Sequence, residues 1–264
     1  MKPYNGKKRT TILLCVIGIL FSAIGGGAKE LSHKKPSPDE ILKSLKQGNE
    51  RFYSGKSTHP HSGMNRLALA GKEDQGKHAL ATVIACSDSR VPVELIFDAG
   101  VMDLFVIRVA GNVCDVDETG SIEYGLLHVH TPLLVVLGHT QCGAVTAVTH
   151  AVQGEKQKLE RNIPPLVDNI TGAVKRAMDN HKDVEGDAII PYAIEENVWQ
   201  AIEDLLIKSP AVRILVNKGQ AKIVGAVYDV GTGNIQWLPD ERVHEILIRV
   251  ETSPEKETEP YAEE

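Results

Sequence analysis

Two short stretches carry the residues best suited to chemistry: Cys86-Ser87-Asp88-Ser89-Arg90 and His139-Thr140-Gln141-Cys142. Two thiols, an imidazole and a carboxylate form a zinc-type donor set, since hard cations prefer shells made of oxygen. His139 and Cys142, three residues apart, can turn toward one ion. With Cys86 they supply three ligands and leave a fourth tetrahedral position for water, the mark of a catalytic zinc; a closed structural zinc is the alternative. Zinc lowers the pKa of its bound water from ~15.7 to about 7, which provides hydroxide at neutral pH. Asp88 lies two residues beyond Cys86 and Arg90 two further on, so strand-like alternation puts all three side chains on one face. Arg90 can then hold Asp88 as a bidentate ion pair, and the ionised carboxylate can accept a hydrogen bond from the bound water. Alternatively, Asp88 fills the fourth position and closes the site.

These motifs need elements to position them. Each follows an apolar run, Ala81 to Ala85 and Leu133 to Leu137, and each precedes a helical pattern. That places both at the carboxyl ends of strands, where open parallel sheets build their sites. Upstream, Ser37-Pro38-Asp39-Glu40 is a capping box with a first-turn proline, opening an amphipathic helix through Ile41, Leu42, Leu45 and Phe52. Gly55 to Gly63, with His59 and His61, reads as a solvated loop. Pro92 to Phe97 reads as a helical turn, and Leu104 to Val109 as a strand closed by Ala110-Gly111-Asn112. Thr119-Gly120-Ser121 is expected to open a helix, and Gly143 to Val152 to form another. Val167 to Met178 reads as helix, Asp179 to Pro191 as polar loop, and Glu195 to Ile207 as amphipathic helix. Ser209-Pro210 caps a short helix stopped at Gly219. Lys222 to Val230 and Asn234 to Leu238, joined by Gly231-Thr232-Gly233, read as an edge hairpin. The class is α/β: a mostly parallel central sheet flanked by helices, with an antiparallel edge hairpin and an N-terminal helical arm.

The net charge of −6 argues against nucleic acid as a partner. Lys2, Lys7, Lys8 and Arg9 precede an apolar stretch from Thr11 to Ile24, and Gly26-Gly27-Ala28 offers small residues for cleavage. Residues 1–28 therefore read as a signal peptide, too short for a comfortable membrane span, and imply periplasmic export; an uncleaved N-terminal anchor is the alternative. Removing the four basic residues takes the charge from −6 to −10 and leaves no stable span. Of four cysteines, Cys15 leaves with the leader. The three that remain suit metal ligation plus one core thiol, Cys114, better than a disulfide framework. One domain spans 29–251; the acidic 252–264 reads as a disordered tail.

Several segments together resemble the β-class carbonic anhydrases over about Pro38 to Leu238. They are Cys-Ser-Asp-Ser-Arg-Val-Pro from Cys86, Phe-Val-Ile-Arg-Val-Ala-Gly-Asn from Phe105, and Gly-Ser-Ile-Glu-Tyr-Gly from Gly120. Gly-His-Thr-Gln-Cys-Gly-Ala from Gly138 and Val-Gly-Ala-Val-Tyr-Asp from Val224 complete the set. The resemblance implies reversible hydration of CO2 to bicarbonate and a proton by zinc-bound hydroxide. It implies Zn2+ held by Cys86, His139 and Cys142, the dyad Asp88–Arg90, and pocket walls from Phe105, Ala110 and Tyr124. It also implies a homodimer or higher homo-oligomer, with the pocket shared across the interface and the N-terminal helix packed on the neighbouring subunit. Gly143, opening a helix, offers a backbone N–H to bicarbonate. Lys77, with Gln75 nearby, stands where the family pattern has a substrate glutamine. Val83 stands where bicarbonate-regulated members have tryptophan, which favours the open form. His128, His130 and His150 read as structural rather than as proton shuttles. Competing readings are a hydrolase of CO2-like substrates (carbonyl sulfide or carbon disulfide) on the same site, and a non-catalytic zinc protein.

Overall fold

The computed structural model describes residues 35–155 and 158–262. The expectations for residues 1–28 concern residues outside that range. Five strands form one sheet in the order β2-β1-β3-β4-β5. They are β1 (Ala81–Cys86), β2 (Leu104–Val109), β3 (Leu133–His139), β4 (Lys222–Tyr228) and β5 (Ile235–Trp237). The first four run parallel, and β5 turns back on β4 as the expected hairpin. Every residue of β1 and β3 is buried, which explains their unbroken apolar sequence: both faces are covered.

The helices divide between these faces. Ile84, Leu134 and Val136 point into a core with α4 (Val116–Glu123), α8 (Ile190–Lys208), α9 (Pro210–Asn217) and α10 (Asp240–Glu251). Val83, Ala85, Val135 and Leu137 point the other way, toward α1 (Pro38–Tyr53) and α3 (Val93–Ile96). Burying a leucine such as Leu134 contributes about 2 kcal/mol, so the alternation of each inner strand is doubly reinforced. Around the carboxyl ends of the strands, a third cluster joins Cys86 and Cys142 to α5 (Gly143–Val152), α6 (Ile163–Val167) and α7 (Thr171–Asn180). Among the described residues no helix is long and apolar enough to cross a membrane.

Helix α1 forms as the sequence dictates, with both capping-box bonds between Ser37 and Glu40 in place. Its apolar residues Ile41, Leu42 and Leu45 are buried within its own chain, in the core shared with α3. The reason is a close fit. A Cβ at Gly48 would stand 1.9 Å from Phe97 O, and buried Asn49 bonds Ile96 O, Gly233 O and the N–H of Ile235.

Other expectations shift. The helix placed at Thr119 begins at Val116, because Asp115 and Glu118 form a capping box upstream. The loop placed at Asp179–Pro191 ends in a 3-10 turn, Gly186–Ile189, from which α8 starts, with Pro191 in its first turn. On α8, Val198, Ile202, Leu205 and Leu206 are buried as expected, while Glu195, Gln200 and Glu203 are partly exposed, and burial extends further to Glu196 and Asn197. Helices α2 (Met64–Ala70) and α10 have no counterpart in the sequence reading. In the loop at Gly55–Gly63, the half-exposed His61 makes a hydrogen-bond contact of 2.7 Å from Nδ1 to Asp103. Among the described residues beyond Glu251 there is no further helix or strand, and Glu257 bonds Ile207 O through its N–H.

Candidate metal centre

His139 is the last residue of β3 and wholly buried. Gly138 before it is required by packing, since a Cβ there would lie 2.7 Å from Val198 Cγ2 on α8. After His139 the chain turns through Gln141, whose φ is +57°, and enters α5 with Cys142 as its N-cap. That turn swings Cys142 back beside His139. Cys86 arrives from the adjacent strand β1, which pairs in register with β3. The ligand atoms of Cys86, His139 and Cys142 lie within 4.8 Å of one another, and all three residues are buried.

Polar accounting tests whether these residues fit a metal. His139 Nδ1 donates to Thr140 O at 2.9 Å, which fixes the tautomer and leaves Nε2 as an acceptor. That Nε2 is buried without a hydrogen-bond partner. An orphaned buried imidazole nitrogen facing two thiols is what a zinc ligand set requires, with the carbonyl as its outer support. The two sulfurs are electrostatically unequal. The contact with the Cys142 thiol, then the backbone N–H groups of Gly111 and Asp88, draw Cys86 well below the usual thiol range. Cys142 is pushed up by that same contact and by burial, while the N–H groups of Val145 and Ala144 pull it back. Cys114 lies outside the cluster, its thiol pushed up by burial to about 12, as a core residue.

The dyad is formed. Arg90 Nε donates to Asp88 Oδ1 at 3.0 Å and Nη2 to Oδ2 at 2.7 Å. This pairing holds the Asp88 carboxyl well below the usual carboxylate range. Asp88 is not among the three clustered ligands. Two supporting residues escaped the sequence reading. Gln141 accepts from Arg90 through both its side-chain and backbone oxygens, tying one motif to the other. Arg108 donates to Cys86 O and Asp88 O, pinning the chain as it leaves β1. A charged residue inside the apolar run Leu104–Val109 was the available signal for Arg108.

Comparisons with known proteins agree with this centre. The family model for carbonic anhydrase matches residues 81–235, more than half of the chain. The chain belongs to the β-class carbonic anhydrases. It is 33% identical over 204 residues to the carbonic anhydrase of Mycolicibacterium smegmatis, covering 76% of this chain and 93% of that one. It is 34% identical over 200 residues to carbonic anhydrase 2 of Mycobacterium tuberculosis, covering 75% and 91%. Among solved structures, the β-carbonic anhydrase CcaA superposes with a TM-score of 0.57 at 25% identity, covering 76% of this chain and 94% of that one.

The family-implied pocket residues separate into two groups. Ala110 and Gly143, the latter next in sequence to Cys142, line one part of an apolar cavity of about 740 Å³ that runs along α5 and α6, walled further by Ala144, Ala147 and Val148 and by none of the ligands themselves. A Cβ at Gly143 would meet nothing within 4 Å, so open space faces the first turn of α5. Phe105 and Tyr124 are elsewhere. Phe105 pairs with Thr82, four residues or about 13 Å of strand from Cys86. Its ring lies 5.9 Å from half-exposed Tyr124, which stacks on His128. Gln75 and Lys77 precede β1, at the same amino-terminal end. Within one chain these four residues stand at the opposite end of the strands from the ligands.

Proposed function

We infer that this chain hydrates CO2 reversibly to bicarbonate and a proton, with zinc held by Cys86, His139 and Cys142. The observation that carries this is the buried, partnerless His139 Nε2 beside two thiols, next to a formed Asp88–Arg90 pair. Zinc, when bound there, activates water for addition to a carbonyl carbon. The chain's own residues do the rest. Asp88, kept ionised by Arg90, is an acceptor that orients a water proton and keeps a lone pair aimed at substrate. The apolar walls at Ala110 and Gly143 admit CO2 more readily than an anion. The Gly143 N–H, at the positive end of the ten-residue α5, offers a donor to a product oxygen. Arg90, anchored on Gln141, keeps the two motifs in one arrangement. A non-catalytic zinc protein has no use for the dyad, and nothing favours it. Stopped-flow CO2 hydration tests the reading: strong activity in the wild type with little in Cys86→Ser or Asp88→Ala supports it, and unchanged hydration in Cys86→Ser overturns the zinc assignment.

The working unit is a homodimer or larger assembly. Supporting this, β2 is an edge strand with an apolar, half-exposed sequence, the kind of edge that proteins cover. Phe105, Tyr124 and Lys77 or Gln75 then wall the pocket of a partner, since they cannot reach their own. Export to the periplasm rests on the basic and apolar pattern of residues 1–28. Cell fractionation with N-terminal sequencing checks it: a mature chain starting near residue 29 supports export, and an intact Met1 on a cytoplasmic protein refutes it.

A further inference from the structure

The turn Ala110–Asn112 touches the metal centre through one bond, from the Gly111 N–H to Cys86 Sγ at 3.3 Å. Its backbone is unusual. Gly111 has φ +78° and Asn112 φ +44°, two successive left-handed residues, the second of them a side chain-bearing one. Such a conformation persists only where its surroundings over-determine it. Asn112 does not supply the restraint, because its buried Nδ2 has no partner. The restraint comes from the middle of α8, where Asn197 Nδ2 donates to Gly111 O at 2.7 Å. Asn197 is 1% exposed and sits among Ala193, Ile194, Val198 and Ala201, all buried and apolar. An amide in such a place is costly unless its bonds are made, so its single bond to the turn is informative. On the other side, Ile170 Cδ1 and Ala144 Cβ stand 2.7 and 3.2 Å from where a Gly111 Cβ would be, which leaves the turn little room to relax.

We propose that Asn197 is a positioning residue for the metal centre: by holding the Gly111 carbonyl it fixes the left-handed turn and aims the Gly111 N–H at the Cys86 sulfur. This rests on the zinc reading above. An N–H donated to a thiolate ligand withdraws charge from sulfur and fixes its direction, the outer support on which metal affinity depends. Asn197 touches neither substrate nor ligand; it acts through Gly111.

Two variants separate this role from a merely structural one. Asn197→Asp keeps the shape but sets a carboxylate oxygen against the carbonyl; Asn197→Ala removes the group. The matched control is Thr131→Val, which breaks the buried contacts of Thr131 with Thr82 and Gly125 before the start of β3, far from the ligands. Zinc affinity is read by chelator competition, and the sulfur environment by the thiolate-to-metal charge-transfer band of the cobalt-substituted protein. Wild type failing to bind zinc would refute the zinc reading itself. With wild type binding, the Asn197 variants are expected to hold zinc about 10–100-fold more weakly, with the band moved to lower energy. Thr131→Val is expected to lower the melting temperature and leave both readouts unmoved. An unmoved band and affinity in whichever Asn197 variant folds, or an equal loss in Thr131→Val, overturns the proposal.

Discussion

Arg90 grips Asp88 with two parallel hydrogen bonds, Nε to Oδ1 and Nη2 to Oδ2, so both carboxylate oxygens are engaged by one planar group. The same guanidinium reaches Gln141, in the loop between His139 and Cys142. Arg90 is therefore the bridge between the two motifs as well as the partner of Asp88. A lysine carries the charge but cannot make the fork. Arg90→Lys is expected to lower kcat/KM about 10–100-fold with zinc still bound. The sign for pH follows from the pairing. Arg90 depresses the Asp88 carboxyl, so without the fork Asp88 protonates at higher pH, and the acid limb of the pH–rate profile moves upward. An unmoved limb with full activity would show that Asp88 works without the fork.

The separation of Phe105 and Tyr124 from the ligands of their own chain makes a complementation experiment decisive. Cys86→Ser lacks a ligand but keeps its aromatic pair; Phe105→Ala with Tyr124→Ala keeps the ligands but lacks the walls. In a two-fold dimer each hybrid contains one complete pocket. Mixing the two after unfolding and refolding should restore about a quarter of wild-type activity, because about half the dimers are hybrids with one of two sites intact. If each pocket were built within one chain, mixing would add nothing.

Much of this site was legible because its residues lie at strand exits. Runs such as Leu133 to Leu137 mark buried parallel strands, and a chemistry-bearing residue just after such a run has few places to be. Cys86, His139, Cys142 and the dyad were reachable for that reason. The roles of Arg108, Gln141 and Asn197 were not, because Arg108 and Asn197 donate to backbone oxygens and Gln141 accepts partly through its own, and no side-chain spacing records where a carbonyl will point. The helix at Val116 was legible in principle through Asp115 and Glu118, which form the same capping box as Ser37 and Glu40. Helix α10 was missed although its apolar positions, Val243, Ile246, Leu247 and Val250, have helical spacing. The cover of α1 by its own subunit depends on Gly48 meeting the Phe97 carbonyl, a contact between distant backbones that periodicity does not encode.

Metal removal should distinguish the three described cysteines. Zinc binding shields Cys86 and Cys142 together, and its loss returns both thiols to ordinary chemistry. Cys86, drawn below the usual thiol range by the donors around it, is then the thiolate of the set. Cys114 is buried, donor-poor and pushed up to about 12. Alkylation followed by mass spectrometry is expected to label none of the three in the zinc-loaded protein. After chelation Cys86 should be labelled first and Cys114 not at all while the fold persists. Equal labelling of Cys114 would mean that chelation had unfolded the chain.

Asp204 on α8 gives a stability prediction remote from the metal. Burial pushes its carboxyl up to about 6, against an opposing hydrogen bond from Gln200 at 2.7 Å and the nearby charge of Lys208. A carboxyl whose folded pKa exceeds its unfolded value favours the protonated form, so the folded state binds the extra proton. Stability therefore falls as pH rises from about 4 through 6, and the full penalty of the ionised group is present above that window. Asn has the same shape, still accepts from Gln200 and never ionises. Asp204→Asn should leave the melting temperature unchanged near pH 4 and raise it at pH 8, where relief of a shift of about two units amounts to at most about 3 kcal/mol. Scanning calorimetry of both proteins across this range checks it. A variant stabilised equally at both pH values would show that the gain comes from packing, and a variant destabilised at pH 8 would show that the ionised Asp204 is compensated by Lys208.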